Sequence, residues 1–383
     1  MEQAAIHDDV PHRQSTRRVL VGGVAIGGGA PISIQSMTLA SPTDVANSID
    51  EIQRLAEAGV DIVRTAVPSE AAADRLPDLV RHSPVPLVAD IHFNYKLAIT
   101  AAEAGVAKLR LNPGNIGDAS RVRAVVDAAN ERGLPIRVGV NGGSLERDLL
   151  AKYGHPTAEA MVESARRHVQ ILEDAGFEDI VISLKASHVP LMIAAYRLAA
   201  REFRYPLHLG VTEAGTPRAG NIKSAIGIGT LLAEGIGDTV RVSLSADPVE
   251  EVHAARTILE ALDLRRESIR IVACPGCGRL QVDLIRLAQE VEERTRDIRK
   301  PLTIAVMGCA VNGPGEAREA DIGIAGGRGE GLLYVRGEVA RKVPESEIVD
   351  ALLELIEKTE PDPEREVGAE RTVTFMPDWQ DEK

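Results

Sequence analysis

Three cysteines, the only ones in the 383 residues, are the side chains best suited to chemistry. Cys274 and Cys277 form a C-x2-C pair in ACPGCGR, and Cys309 follows in VMGCAVNGPGEA. Each lies in a Gly/Pro-rich turn after an apolar run, where a thiolate can turn toward a metal without obstruction. Three thiolates are one short of a closed tetrahedral site. The shortfall favours a fourth ligand of another type or a cluster with a reactive iron.

Three kinds of site are compatible with these cysteines. A structural zinc site would normally show four Cys or His ligands at regular spacing, and no histidine follows His253. A redox disulfide accounts for the C-x2-C pair but leaves Cys309 without a role. A [4Fe–4S] cluster takes thiolates from separated loops and tolerates one replaced ligand. Glu316 is a candidate for that exchangeable ligand, although a single glutamate is equally suited to a surface position.

The segment before the cysteines alternates apolar runs with alanine-rich amphipathic stretches. This alternation predicts parallel strands joined by helices, and the length matches a closed barrel of eight units. Glycines that follow the helical stretches, such as Gly59, Gly105, Gly133 and Gly176, indicate left-handed helix ends. The predicted strands are Ile32–Met37, Val60–Ala66, Pro86–His92, Ala107–Asn112, Ile136–Asn141, Ile180–Lys185, Leu207–Val211 and Thr239–Leu244. An open doubly wound sheet is the alternative, although no GxGxxG motif follows the first strand.

Beyond about residue 268 the pattern changes to short strands with glycine turns and two helices, Leu280–Arg294 and Glu345–Glu357. The prediction is an α/β protein in which a (β/α)8 TIM barrel precedes a small α+β domain that carries the three cysteines. The predicted boundaries are a flexible N-terminal tail at 1–15, the barrel at 16–265, the α+β domain at 266–360 and an acidic C-terminal tail at 361–383.

The predicted carboxyl ends of the barrel strands concentrate polar residues, and barrel enzymes gather their functional groups at this end. The candidates for substrate binding are Arg64, Asp90, His92, Arg110, Asn112, Arg137, Asn141, Lys185, Thr212, Arg241 and Ser243. Ion pairs with Asp90 and Glu213 could compensate one or two of these cations. The whole set predicts a pocket for a small polyanion, diphosphate above all, because arginine binds phosphate through paired charge-assisted hydrogen bonds.

Glu213 is the acid that stands out beside these cations. A carboxyl group against apolar walls can keep its proton near neutral pH, so Glu213 is a candidate proton donor.

Composition excludes several other classes of protein. A net charge of −13 disfavours a general surface for nucleic acid or for an anionic membrane. No run of eighteen apolar residues occurs and the polar start lacks a signal segment, so we expect a cytoplasmic protein. The odd number of cysteines argues against a disulfide framework.

Several motifs along nearly the whole chain resemble those of one family. They are IQSMT, DIVRTAVP, VADIHFN, LRLNPGN, IRVGVN, TEAG, CPGCGR and VMGCAVNGPGEA, together with the spacing of the three cysteines. This set is similar to the signature of the 4-hydroxy-3-methylbut-2-enyl diphosphate synthases, iron–sulfur enzymes of the methylerythritol phosphate route to isoprenoids.

The resemblance implies a reaction and a set of partners. The reaction is reductive ring opening and dehydration of 2-C-methyl-D-erythritol 2,4-cyclodiphosphate, with two electrons from a ferredoxin or flavodoxin. The implied [4Fe–4S] ligands are Cys274, Cys277, Cys309 and Glu316, and the matching barrel positions are Arg64, Arg110, Asn112, Arg137, Asn141, Lys185, Thr212, Arg241 and Ser243. The resemblance also implies that the α+β domain at 266–360 is an iron–sulfur cluster domain. The family's homodimers place each cluster domain over the partner's barrel, so that the active site is shared.

Two other classes of function remain open on the residues alone. One is a zinc-stabilised, non-redox barrel enzyme that binds phosphate. The other is a non-catalytic iron–sulfur sensor, which would not need arginines facing into a barrel.

Overall fold

A computed structural model of the chain describes residues 13–309 and 313–361. Contacts divide the chain into two compact units that meet between Arg265 and Arg266. Most of the two predicted tails, residues 1–12 and 362–383, lies outside the described residues.

The first unit is a parallel barrel preceded by a hairpin. The hairpin strands are β1 (Val19–Val21) and β2 (Val24–Ile26). The barrel strands are β3 (Ser33–Met37), β4 (Ile62–Ala66), β5 (Leu87–Asp90), β6 (Lys108–Arg110), β7 (Ile136–Asn141), β8 (Ile180–Lys185), β9 (His208–Leu209) and β10 (Thr239–Val240). They are ordered β8-β7-β6-β5-β4-β3-β10-β9, and a parallel bridge between Ile182 and Leu207 closes the ring. The predicted (β/α)8 barrel is confirmed.

Helices cover the outside of the ring. They are α1 (Val45–Ala58), α2 (Glu70–Ala73), α3 (Leu76–His82), α4 (Tyr95–Glu103), α5 (Pro113–Ile116), α6 (Ala119–Arg132), α7 (Arg147–Tyr153), α8 (Ala158–Asp174), α9 (Val189–Glu202), α10 (Pro217–Ala233) and α11 (Pro248–Ala261), with 3-10 turns at Arg13–Ser15 and Gly142–Ser144. Side chains such as Asp44, Asp118 and Thr157 cap helix starts by accepting backbone N–H groups. The four glycines expected to end helices, at positions 59, 105, 133 and 176, all have positive φ.

The hairpin closes the end of the barrel where the strands begin. Its apolar side chains pack against Ile62, Val88 and Val181, which point inward near the starts of their strands. Because this end is filled with aliphatic side chains, the polar interior of the barrel can open only at the opposite end.

The second unit is a five-stranded mixed sheet with helices. Its strands are β11 (Arg270–Ala273), β12 (Thr303–Met307), β13 (Ile322–Gly327), β14 (Glu330–Val335) and β15 (Glu338–Pro344), in that spatial order. Its helices are α12 (Leu284–Thr295), α13 (Gly313–Glu319) and α14 (Ile348–Lys358), the last preceded by a 3-10 turn at Glu345–Glu347. The first three strands are parallel and the last two antiparallel, as an α+β domain requires.

Two elements of the second unit differ from the prediction. The glycine- and proline-rich segment after Cys309, expected to be a turn, forms α13 from Gly313 onward. Proline is tolerated in the first turn of a helix, where its missing N–H would have no partner. Strand β15 was not predicted, because it is an exposed edge strand without an apolar alternation. Within the described residues, no helix combines the length and apolar character needed to span a membrane.

Candidate functional site

The carboxyl ends of the barrel strands enclose a cavity of about 160 Å³. Its lining consists of polar and charged side chains from β4 to β8 and from the segments after β9 and β10. The lining residues are Arg64, Asp90, His92, Arg110, Arg137, Asn141, Ser183, Lys185, Thr212, Arg241 and Ser243. The structure therefore brings together the predicted substrate-binding residues except Asn112, and it adds Ser183.

One carboxylate holds two of the arginines in the cavity. The Asp90 carboxylate accepts a hydrogen bond from Arg110 Nη1 at 3.0 Å and lies 3.5 Å from Arg64 Nε. Burial opposes ionisation of Asp90, but Arg64 and Arg110 outweigh it and lower the pKa of this carboxyl group. Asp90 is thus an anchor that keeps its charge and fixes the guanidinium groups in place.

A second carboxylate, Glu251 from α11, was missed by the sequence analysis. It pairs with Arg241 (Nε to Oε2, 3.3 Å) and accepts hydrogen bonds from the Ser36 hydroxyl at 2.9 Å and from the Leu244 backbone N–H at 3.0 Å. Nothing in the sequence distinguishes Glu251 from Glu250 except helical phase, which turns Glu251 inward to 4% exposure. The compensating acids expected for the arginines were Asp90 and Glu213; they are Asp90 and Glu251.

The remaining buried cations of the cavity, Arg137 and Lys185, form no ion pair with a carboxylate of the described residues. Arg137 is 1% exposed, and its Nε and Nη1 groups find no hydrogen-bond acceptor among the described residues. Burial, followed by repulsion from Arg64, lowers the pKa of Arg137, although a guanidinium group keeps its proton in proteins. Burial and the Arg137 charge likewise lower the pKa of Lys185. Buried donors without acceptors are costly, so this cavity is built to receive an anion.

Two glycines make room for these long side chains. A Cβ atom on Gly139 would lie 2.9 Å from Arg110 Nε, and one on Gly210 would lie 2.7 Å from Lys185 Nζ. A side chain at Gly139 of β7, or at Gly210 directly after β9, would point into the barrel. Because glycine has no side chain, the cations occupy this space.

Two predicted residues lie outside the lining. Asn112 is engaged with the backbone of Gly139, to which it donates at 2.9 Å and from which it accepts at 2.9 Å. Glu213 is exposed rather than set against apolar walls, and its φ of 53° falls in the left-handed region. A non-glycine residue in that conformation, directly after Thr212 of the lining, is a local strain that often marks functional positions.

The cysteines lie on loops that follow neighbouring parallel strands. Cys274 comes directly after β11, and Cys309 comes two residues after the end of β12. Backbone hydrogen bonds from Cys274 N to Val306 O (3.2 Å) and from Gln281 N to Gly308 O (2.9 Å) tie the two loops together. Cys274 is partly buried, Cys277 exposed and Cys309 buried, and none of these three described cysteines forms a disulfide.

Arg279 contacts the exposed Cys277 thiol and favours its thiolate form. Its Nε donates to Cys277 Sγ at 3.4 Å, and this hydrogen bond lowers the pKa of the Cys277 thiol. The same guanidinium group interacts electrostatically with Cys309. Soft thiols are ligands for an iron–sulfur cluster and for zinc alike, and with either metal the three cysteines leave room for a ligand of another type.

Glu316, the predicted fourth ligand, is exposed in the first turn of α13. Residues 310–312, between Cys309 and this helix, fall outside the described part of the chain. In that described part, no three Cys, His, Asp or Glu side chains are gathered closely enough to hold a metal ion.

Both units match known protein families. Residues 16–256 match the GcpE TIM-barrel domain, and residues 270–358 match the GcpE protein C-terminal domain. A Geobacter sulfurreducens protein named 4-hydroxy-3-methylbut-2-en-1-yl diphosphate synthase (flavodoxin) is 59% identical over 346 residues, which cover 90% of this chain and 98% of that protein. A Bacillus licheniformis protein of the same name is 56% identical over 350 residues, covering 91% and 95% of the two chains. With both domains matched and this degree of identity over nine-tenths of its length, the chain belongs to the GcpE family.

Proposed function

We propose that this chain converts 2-C-methyl-D-erythritol 2,4-cyclodiphosphate to (E)-4-hydroxy-3-methylbut-2-enyl diphosphate, the reaction for which its relatives are named. The conversion takes up two electrons, opens the cyclic diphosphate and releases one oxygen as water. The observation that carries the proposal is the set of buried, unpartnered N–H groups of Arg110 and Arg137 in the barrel cavity. The phosphate oxygens of a cyclic diphosphate supply the acceptors that these groups lack.

The barrel residues bind and orient the substrate. Arg110, Arg137, Lys185 and Arg241 hold the diphosphate, while Asn141, Ser183, Thr212 and Ser243 hydrogen-bond to the hydroxyls of the carbon skeleton. Ring opening leaves a new negative charge on the diphosphate. Because the cations are already in position, they stabilise this charge without reorganisation. Asn112 contributes by fixing the Gly139 backbone, beside which Arg110 passes.

The cysteine loops hold the redox group. We infer that Cys274, Cys277 and Cys309 ligate a [4Fe–4S] cluster, with Glu316 as a fourth, exchangeable ligand. When bound, such a cluster supplies single electrons and a Lewis-acidic iron. Arg279 favours the thiolate form of Cys277 that iron requires. A flavodoxin, which appears in the names of the relatives, is the proposed electron donor, with ferredoxin as the alternative.

The proposed assembly is a cytoplasmic homodimer. In it, the cluster unit of one chain serves the barrel cavity of the other, which would unite two sets of residues that lie on separate units of one chain.

Glu213 is proposed as the proton donor, on the basis of its strained backbone next to Thr212. Replacing Glu213 with Gln is expected to leave substrate affinity near normal and to slow turnover by about 10²-fold, the usual contribution of one general acid. Turnover at the wild-type rate would remove Glu213 from the mechanism.

The function is tested by iron, acid-labile sulfide and zinc analysis of anaerobically purified protein, followed by turnover of the cyclic diphosphate with reduced flavodoxin. About four iron and four sulfide per chain with no zinc, and product formation coupled to electron consumption, are expected. About one zinc without sulfide would favour the non-redox barrel enzyme instead. A cluster without turnover would favour the sensor.

A further inference from the structure

The interior of the barrel contains a lysine for which the proposed reaction has no use. Lys108 begins β6, two residues before Arg110, and therefore points to the same inner side of the strand. It is 0% exposed and does not line the cavity. Beside it on β5, its partner in the strand register, Val88, belongs to the apolar cluster that the hairpin forms at the closed end of the barrel. Lys108 thus lies between the anion cavity and the closed end of the barrel.

The groups that face Lys108 include one polar acceptor and two cations. Its Nζ atom donates to Gln35 Oε1 at 3.3 Å, and among the described residues no ion pair joins it to a carboxylate. The charged groups that face it are Arg137 from β7 and Arg64 from β4, with the neutral ring of His208 from β9 nearby. Burial, then repulsion from these two arginines, lowers the pKa of Lys108 well below its usual value. Without an anion in the cavity, the surroundings of Lys108 therefore disfavour the charged form of its amine.

An anion in the cavity reverses the electrostatic effect of the surroundings on Lys108, from repulsion of a positive charge to attraction. Arg64 and Arg137 cannot release their protons, so in the empty cavity they repel any further charge beneath them. A bound diphosphate neutralises them, and its own negative charge then attracts a proton to the amine below. Lysine suits this role because its charge state adjusts to its environment, whereas that of arginine does not.

We propose that Lys108 is a positioning residue that takes up a proton from solvent when a diphosphate enters the cavity above it. The uptake adds a cation beneath Arg137 only while the site is occupied, so the empty barrel does not have to bury that charge. This inference rests on the proposed function for the identity of the ligand.

The sign of the resulting pH dependence is fixed by linkage. Binding raises the pKa of Lys108, so affinity increases as pH falls through the interval between the bound and the free pKa. One proton contributes up to about a tenfold gain in affinity per pH unit within that interval. Two other groups add to the proton uptake. Burial and then Arg137 also lower the pKa of His208, and Lys185 lines the cavity. The contribution of Lys108 is therefore the difference in proton uptake between wild type and a Lys108 variant.

The test is calorimetric titration of the anaerobic holoprotein with the cyclic diphosphate, without reductant, in buffers of different ionisation enthalpy. The cyclic compound is the suitable probe because each of its phosphates bears one strongly acidic group, so its charge is constant near neutral pH. We compare wild type with Lys108→Met, and use Lys223→Met, at an exposed lysine on α10, as the matched control. Lys108→Gln, which keeps a polar contact for Gln35, replaces the methionine variant if the latter does not fold.

The Lys108 variants are expected to take up fewer protons than wild type, by up to one per site. At alkaline pH, the affinity of the variants for the cyclic diphosphate should match that of wild type. As pH falls, it should become weaker than that of wild type by up to about tenfold. An unchanged proton count, or the same loss of affinity at every pH, would overturn the inference and leave Lys108 a purely structural residue. If wild type bound neither the cyclic diphosphate nor inorganic diphosphate, the proposed function would fail, and this inference with it.

Discussion

The barrel cavity and the cysteine loops differ in what holds their functional groups in place. In the cavity, strand ends, the Asp90 and Glu251 carboxylates and the space beside Gly139 fix the cations before any ligand arrives. In the second unit the cysteines range from buried Cys309 to exposed Cys277, and they lie on loops rather than within strands. A polyanion site can be completed by packing and ion pairs, whereas a cluster site is completed by its own metal–thiolate bonds.

The largest expected effect comes from removing one thiolate. Replacing Cys309 with Ser should abolish the cluster and all turnover, because a hydroxyl is a poor substitute for a thiolate ligand. Each unit has its own apolar core, so the barrel should stay folded and still bind inorganic diphosphate. Iron and sulfide analysis, activity and calorimetric binding measure the three outcomes. A colourless variant with full activity would remove the cluster from the mechanism.

The second prediction concerns the barrel cavity, where a preformed anion site costs stability. Replacing Arg137 with Met removes a buried charge whose Nε and Nη1 groups have no acceptor. Affinity for the cyclic diphosphate should fall by about 2 kcal/mol or more, the scale of lost charge-assisted contacts. The free energy of unfolding should stay constant or rise by about 1 kcal/mol, because replacing buried charges with apolar groups is often stabilising.

Denaturant unfolding measures the free energy of unfolding of the Arg137 variant, and calorimetric titration measures its affinity for the cyclic diphosphate. Arg17→Met is the control, because Arg17 pairs with Glu178 and Asp179 at the surface. Lower stability together with unchanged affinity would make Arg137 a structural residue.

The same comparison explains what could be predicted from sequence. Alternating apolar and amphipathic runs located all eight barrel strands, and inward arginines at their ends predicted the cavity. The apolar runs overestimated the length of some strands. The strand predicted at Leu207–Val211 is observed as His208–Leu209, because apolar character does not show where strand pairing ends. Glu251 was missed because its inward direction depends on the rotation of α11, which only the packed helix fixes.

The third prediction tests the scaffold of the cysteine unit. Gly323 of β13 lies directly under α13, and a Cβ atom there would be 2.5 Å from the Cα of Ala317. Replacing Gly323 with Ala should displace α13, which carries Glu316, and lower the stability of the unit by about 1–3 kcal/mol. The iron content should fall while diphosphate binding by the barrel is retained. Gly278→Ala, where the added carbon meets no atom of the described residues within 4 Å, is the matched control. Equal iron content in the two variants would show that cluster retention does not depend on the position of α13.

The smallest expected effect is a displacement within the cavity itself. Replacing Gly139 with Ala places a carbon 2.9 Å from Arg110 Nε. Because the flexible end of Arg110 can move away, the unfolding free energy should change by less than about 1 kcal/mol. The guanidinium group then shifts from its 3.0 Å contact with Asp90, and KM should rise on the order of tenfold, since small misplacements of binding groups are costly. Gly229→Ala on α10, where the added carbon meets nothing within 4 Å, should leave KM unchanged.

Combining Gly139→Ala with Arg110→Ala determines whether the effect passes through Arg110. If it does, the double variant should bind no more weakly than Arg110→Ala alone, because the added methyl group has no guanidinium left to displace. Additive losses would mean that Gly139 acts through another route, such as its hydrogen bonds with Asn112. In either case a single methyl group would reduce binding without removing any ligand-binding side chain. That sensitivity is expected of a cavity whose geometry is set by packing, and not of loops that a cluster can draw together.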